Sequence, residues 1–467
     1  MIIRREEKMA QLAFEQPEAQ GLTAKLARHA ADLNFKDLPD DVISIARCCF
    51  IDWLGVTLAA HDDPITDMLV TEAKEQGGNR QATVIGNGLQ TSVSQAALIN
   101  GTVSHALDYD DVNLNMIGHP SVITFAAMLG VAERDGCSGE DFITAFVAGT
   151  EIGCRIGKQL MGESHYQKGW HMTGTAGTFA ATASAGNLMG LDRDTMTTAF
   201  GIAASQAAGL KSNFGTMCKP MHAGKACQNG LFAASMAKRG WTSNPEILEC
   251  VQGFGDTQTG AFTPDLALDG LGERFMTRGM LFKYHAACYG THAAIEATRE
   301  LRENHGVTPD DIEAVELHVP SSYFKMCNIQ EPKNGLEGKF SLRFTTAMGL
   351  LGEDTGRMDS YSKAKCEHPA LVAMRDRIQV VANDDLEHDH AVADIWLTRK
   401  DGVVIQQGGN VHDPESDQGR QWSRLVEKFQ GLADPVIGAD KAGQIIEQVA
   451  KLETLDKVGP IAELAVK

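Results

Sequence analysis

His105, Asp108, Asp110, Asp111 and His119 fall in one short stretch, Gly101-Thr102-Val103-Ser104-His105-Ala106-Leu107-Asp108-Tyr109-Asp110-Asp111 followed by Gly118-His119-Pro120-Ser121. Unpaired charges are costly to bury, so acids and imidazoles this dense are poor core material. They are what proton transfer needs: an imidazole that titrates near neutral pH and a carboxylate to orient it. The same donors suit a divalent metal, and a metal-dependent hydratase or hydrolase using His105, Asp108 and Asp111 is the rival chemistry. None of the standard zinc spacings occurs, and no metal is expected. The plain alternative has Asp108 capping a helix and His119 filling a turn before Pro120.

Four later segments carry further candidates. His171, in Trp170-His171-Met172-Thr173-Gly174-Thr175, opens a run of small residues. A helix start there would favour an anion. Cys218-Lys219-Pro220-Met221-His222-Ala223-Gly224-Lys225 places two lysines and a histidine before a helix, with Lys219 expected to be extended because it precedes proline. Lys283-Tyr284-His285-Ala286-Ala287-Cys288-Tyr289-Gly290-Thr291-His292 sets His285 and His292 seven apart, on one face if helical. Cys288 has no local signature of a nucleophilic thiol. Lys339-Phe340-Ser341-Leu342-Arg343-Phe344 puts two cations beside a hydroxyl, and its plain reading is a helix cap. A G-x-G-x-x-G turn after a strand, a P-loop, a G-x-S-x-G elbow and H-E-x-x-H are all missing, so dinucleotide binding has weak support.

The elements that must position these residues read mostly as helices. Leu22, Leu26 and Ala30 recur at helical spacing, then Val42, Ile45, Ala46 and Cys49. Small residues abound in 173–190 and 199–210, as in tightly packed central helices, with Gly190 or a neighbour as a C-cap. The character shifts near Gly279. Ile312 to Val319 alternates as a strand, and Arg377 to Ala382 is another candidate. Ala391 to Arg399 and Val403 to Gln407 flank the hairpin signal Lys400-Asp401-Gly402. From Gln421 helical periodicity returns through Leu425, Phe429, Ile445, Ile446, Val449 and Leu452. The reading is mainly α: a large all-helical domain, 1–278 and 416–467, with an inserted smaller α+β lid domain, 279–415. Residues up to Gln20 read as a polar leader.

A chain of 467 residues is long for one domain, and 43% hydrophobic content is ample for a core. The net charge of −19 opposes binding to nucleic acid or anionic membranes. An anionic substrate would therefore need local positive charge. The ten cysteines form no C-x-x-C pair and read as reduced. Neither a signal-peptide core nor an apolar run of about 18 residues is evident, so a cytoplasmic protein is the expectation.

Together these segments resemble the MmgE/PrpD family, which includes 2-methylcitrate dehydratase, cis-aconitate decarboxylase and iminodisuccinate epimerase. The resemblance runs from Asp52-Trp53-Leu54-Gly55 to the C-terminal helices. It is carried by His105 to Asp111, His119-Pro120-Ser121, His171, Lys219 to Gly224, Lys283 with Thr291-His292, and Lys339-Phe340-Ser341. It implies a helical domain with an inserted lid, a cleft between them, a homodimer and no organic cofactor. Asp108, His119, His171, Lys219 and Lys283 match active-site positions. Lys225, His292, Ser341 and Arg343 are candidate contacts to a small di- or tricarboxylate. His119 is the expected base or acid, oriented by Asp108, with His171 as its partner or as a carboxylate ligand. The decarboxylases use a tyrosine where this chain has Phe344, so dehydration is expected first, epimerisation second and decarboxylation third.

Overall fold

The computed structural model describes residues 20–386 and 392–467. The leader expected to run to Gln20 lies, Gln20 aside, outside the described residues, as does Ala391 at the start of one expected strand.

The fold is mainly α. The helices that matter for the site are α1 (Asp40–Ala59), α2 (Val93–Ser104), α3 (Pro120–Asp135), α4 (Met172–Leu188), α5 (Cys218–Lys238), α6 (His292–His305), α7 (Leu342–Leu351) and α8 (Gln418–Ile437). On α1, Val42, Ala46 and Cys49 are buried. Contrary to expectation, α1 is long and apolar enough by composition to cross a membrane. Most of it is buried instead, and it packs against α8.

Helices α2, α4 and α5 pack side by side, with α3 against α2 and α4. Small residues allow this proximity. A methyl group on Gly101 of α2 would lie 2.6 Å from Cys227 Sγ and 3.0 Å from Gly224 Cα on α5. The end of α2, which leads into His105, is thereby set against the helix that carries Lys219 and His222. The small-residue stretch 199–210 is not one helix. Its helix ends at Ala204, and the chain then turns so that Gly209, at φ +148°, offers its carbonyl to the His171 N–H at 3.0 Å.

Strands β1 (Ile312–Val319), β2 (Ile378–Ala382), β3 (Val392–Arg399) and β4 (Val404–Asn410) form one sheet in the order β2-β1-β3-β4. β1 pairs parallel with β2 and antiparallel with β3, and β3 pairs antiparallel with β4. Ile312, Val315, Leu317 and Val319 of β1 are buried, and α6 and α7 pack against each other and the sheet. The β3–β4 hairpin turns at Gly402, φ +86°.

The buried apolar side chains form two main clusters. The larger draws on Leu22 to Phe282 and Leu425 to Ala465. The second draws chiefly on Ala286 to Leu397, joined by Val56, Tyr109 and Leu432. Lys283 and its neighbours lie where the chain passes from one to the other.

Candidate active site

Asp110 is the centre of the first acidic segment. Its carboxylate accepts from His105 Nδ1 at 3.0 and 3.1 Å and faces His119 Nδ1 at 2.8 Å. His119 Nδ1 also lies 2.8 Å from the Asp111 carbonyl. Burial pushes the Asp110 pKa up, but the two imidazoles outweigh it and hold the group well below the usual carboxylate range. Asp110, joined at His119 by the Asp111 carbonyl, faces Nδ1 of both rings and so places a hydrogen there. Burial, only partly offset by Asp110, lowers the His105 pKa to about 4, so His105 is neutral.

This corrects the expected pairing. Asp110, not Asp108, orients His119, whose Nε2 is 3.8 Å from Asp108 Oδ1. Asp108 serves the lysines: its Oδ1 is 2.8 Å from Lys219 Nζ and 3.2 Å from Lys283 Nζ, and its carbonyl accepts from Lys283 at 2.6 Å. Desolvation raises the Asp108 pKa, and Lys283 and Lys219 reverse that to a net depression. Asp108 does not cap a helix. Its backbone is at φ +50°, a left-handed conformation that aspartate tolerates better than most residues.

The two histidines start helices. His119 is the residue before α3, where Pro120 opens the helix and holds His119 extended. His171 precedes α4 in the same way. Each ring stands at a positive dipole end, which favours anions. His171 Nδ1 is 3.1 Å from His222 Nδ1, so one ring donates and the other accepts. Burial, chiefly, with the nearby Lys219 ammonium adding to it, depresses the His171 pKa far below the ordinary imidazole value. His171 is thus a neutral hydrogen-bonding group, and positive charge at the site is left to the lysines. The sequence reading noticed His222 without giving it a role. Lys219 was expected to be extended, yet it lies in the first turn of α5, where Pro220 forfeits no helical hydrogen bond. His222, three residues on, therefore shares its face.

An ammonium has three N–H groups. Lys219 commits one to Asp108. Lys283 commits two, to the Asp108 carboxylate and carbonyl. Both keep donors for a ligand. The Asp108 side chain is 55% exposed and His119 12%, so this is the face that solvent reaches.

The structure does not bring four of the candidates to this cluster. Lys225 Nζ bonds Gln228 Oε1 at 2.6 Å. Arg343 Nε donates to the carbonyls of Ile378 at 2.9 Å and Arg375 at 3.2 Å. Ser341 is fully buried and caps α7 by accepting the Phe344 N–H at 3.2 Å. His292 is buried, its Nε2 3.2 Å from the Ala287 carbonyl and its ring 5.0 Å from that of His285. Those rings meet across a turn, not along a helix face. Phe344 lies inside the second apolar cluster. A cavity of about 350 Å³ bordered by Tyr284, His285, Arg424 and Lys428 is lined by none of Asp108, His119, His171, Lys219 or Lys283.

His105, Asp108, Asp110 and His119 present ligand atoms all within 4.8 Å of one another, a set that could hold a divalent cation. Two ammonium groups already sit within 3.2 Å of Asp108 Oδ1, and a dication there would meet their repulsion. Asp111, a ligand in the metal reading, points elsewhere, to the hydroxyl of Ser121. Burial and the neighbouring Asp52 hold its pKa well above the usual range.

Comparison with known proteins identifies the family. The model of the MmgE/PrpD N-terminal domain matches residues 24–267, and that of the MmgE/PrpD C-terminal domain matches residues 285–454. The chain belongs to the MmgE/PrpD family. Among its relatives, a cis-aconitate decarboxylase-like protein of Aspergillus oryzae is 28% identical, with 95% of this chain and 97% of that protein covered. The cis-aconitate decarboxylases of Aspergillus terreus and Homo sapiens are each 24% identical, with 95% of this chain covered and 96% and 94% of theirs. This MmgE/PrpD chain thus matches such enzymes along nearly their whole length.

Proposed function

We propose that this MmgE/PrpD protein is a lyase that acts on a small di- or tricarboxylate by removing a proton α to a carboxylate, with dehydration as the first reading. One observation carries it: His119 Nδ1 is held by the Asp111 carbonyl and the Asp110 carboxylate, each at 2.8 Å, while its Nε2 lies 3.8 Å from the Asp108 Oδ1 that Lys219 and Lys283, with donors to spare, also approach. Lys219 and Lys283 hold a substrate carboxylate as point charges. His119 Nε2 takes the α-proton, and Asp110 stabilises the imidazolium that forms. The lysines stabilise the charge that develops on the carboxylate oxygens. The His119 imidazolium then returns that proton to the β-hydroxyl, which leaves as water with formation of the C=C bond, while the neutral His171–His222 pair can hydrogen-bond the substrate.

In the same reading the helical domain, 1–278 with 416–467, carries an inserted lid, 279–415, that closes over this face. The protein works as a cytoplasmic homodimer without an organic cofactor. Epimerisation uses the same constellation with reprotonation from the opposite face. Decarboxylation is the reading the relatives favour. Against it stands Phe344, buried and without a hydroxyl where the decarboxylases are expected to use tyrosine.

The test is incubation with 2-methylcitrate, citrate, cis-aconitate and iminodisuccinate in D₂O, followed by NMR. Water loss with a new alkene supports dehydration. Deuterium uptake without net change marks epimerisation, and loss of CO₂ marks decarboxylation. A folded protein that exchanges no C–H on any of them refutes proton abstraction. Binding without turnover would make the protein a carboxylate sensor. Exhaustive chelation is expected to leave turnover unchanged, and its loss would restore the metal reading.

A further inference from the structure

The Asp52-Trp53-Leu54-Gly55 motif has no place in the chemistry above, yet Asp52 is buried on α1 and faces a buried lysine on α8. Lys428 Nζ is 2.6 Å from Asp52 Oδ1, and the two side chains are 3% and 1% exposed. The same ammonium donates to the Tyr109 carbonyl at 2.8 Å and the Lys283 carbonyl at 2.7 Å. It also lies 3.8 Å from the centre of the Tyr109 ring. Two of its N–H groups thus go to backbone carbonyls of the segments that form the site, and the Asp52 carboxylate pairs with its charge.

Those segments are irregular beside the site, although a short antiparallel strand pair, Val112–Asn113 with Met280–Leu281, joins them a little farther along. Asp108 is at φ +50°, and Tyr284 to Cys288 is irregular. A strained residue persists only where its surroundings over-determine it. Lys283 grips the Asp108 carbonyl from one side, and Lys428 grips the carbonyls of Tyr109 and Lys283 from the other. Burying an ion pair is expensive, and an apolar pair of similar volume would serve packing at least as well. What an apolar pair could not do is bind two carbonyls from separate segments.

We propose that Lys428, anchored by Asp52, is a positioning residue. It ties the backbone of Tyr109 to that of Lys283, so that the Asp108 carboxylate and the Lys283 ammonium meet beside His119. The proposed effect on turnover rests on the proton-abstraction reading. The effect on geometry does not.

The test uses full-length protein with Lys428→Met and with the double variant Asp52→Asn/Lys428→Met, which leaves no unpaired buried charge. Crystal structures of the double variant are expected to show Lys283 Nζ displaced from Asp108 Oδ1. With whichever polycarboxylate the wild type turns over, kcat is expected to fall roughly 100-fold while KM moves less than about threefold, since misplacement of about an ångström costs that much in rate. A purely structural pair would lower the melting temperature and leave the split between kcat and KM unmoved. A double variant with the Lys283–Asp108 contact intact and wild-type kcat overturns the proposal. If the wild type turns over nothing in the panel, the functional reading fails, and the displacement of Lys283 alone still decides the role of Lys428.

Discussion

The cluster around Asp110 and the cluster around Glu296 contain the same chemical types: two imidazoles, an acid and a cation, with Lys283 near both. In the second, His285 uses both ring nitrogens, Nδ1 with Thr355 Oγ1 at 2.7 Å and Nε2 with Glu296 Oε1 at 2.8 Å. Glu296 also takes Arg424, whose guanidinium stacks 3.6 Å from the centre of the Tyr284 ring. Every member is buried or nearly so, and its hydrogen-bonding capacity is largely spent within the protein. In the first cluster Asp110 is equally committed, but its commitment leaves His119 Nε2 and several lysine N–H groups facing outward. Residue type gives a site its vocabulary. Unspent hydrogen-bonding capacity on an open face separates a reaction centre from a girder.

The largest expected effect breaks that contrast directly. His119→Gln should lower kcat/KM by about 10³, within the range of general acid–base catalysis. Asp110→Asn should fall to a similar level, and the double variant should fall little further, because the two act as a unit. In turnover assays at saturating and limiting substrate, His292→Gln should stay within about tenfold of wild type. If His292→Gln proves as damaging as His119→Gln in a folded protein, the contrast between the clusters is lost. Lys219→Ala comes next, with an expected loss of about 10² in kcat/KM from one charge-assisted contact.

The second cluster should answer in stability instead. His285→Gln is expected to destabilise the fold by about 2 kcal/mol, read by urea unfolding, because it removes a buried partner of Glu296. Its pH dependence has a definite sign. Burial, partly opposed by Glu296, lowers the His285 pKa, so the folded protein refuses a proton that the unfolded chain accepts near pH 6.5. Stability is therefore full above that pH and falls as pH drops from 7 to 5. Burial raises the Glu296 pKa, but His285 and Arg424 outweigh it to a net depression, so its contribution is lost only at still lower pH. The slope between pH 7 and 5 should be shallower in His285→Gln, and an unchanged slope would show that His285 titrates normally. The smallest effect belongs to Lys225→Ala, expected within about twofold in kcat/KM and about 0.5 kcal/mol in stability, as for a residue away from such features.

Much of this was legible before any coordinates. The strand from Ile312 to Val319 and the hairpin at Gly402 appear where alternation and turn residues put them. Asp108, His119, Lys219 and Lys283 meet in space as the family resemblance implied. The roles within the cluster were less accessible. Asp108 and Asp110 both had plausible spacing to His119, and only the left-handed backbone at Asp108 turns one toward the lysines and leaves the other for the imidazoles. The preference of a residue before proline for extended backbone hid the helical start at Lys219. With that start known, helical period alone sets His222 beside Lys219 and sends Lys225 about 120° round the axis. Arg343 could not have been excluded this way, because its partners are the carbonyls of Arg375 and Ile378, contributed by a distant segment.

Two hydrogens gauge the width of the reaction centre. Gly101 and Gly224 let α2 and α5 touch backbone to backbone, and the loop bearing the base follows one helix while Lys219 and His222 ride on the other. An alanine at Gly101 would change no reacting group. It would wedge the His119 loop away from Lys219, and on the proton-abstraction reading proposed above the rate would fall through a single methyl placed well outside substrate reach.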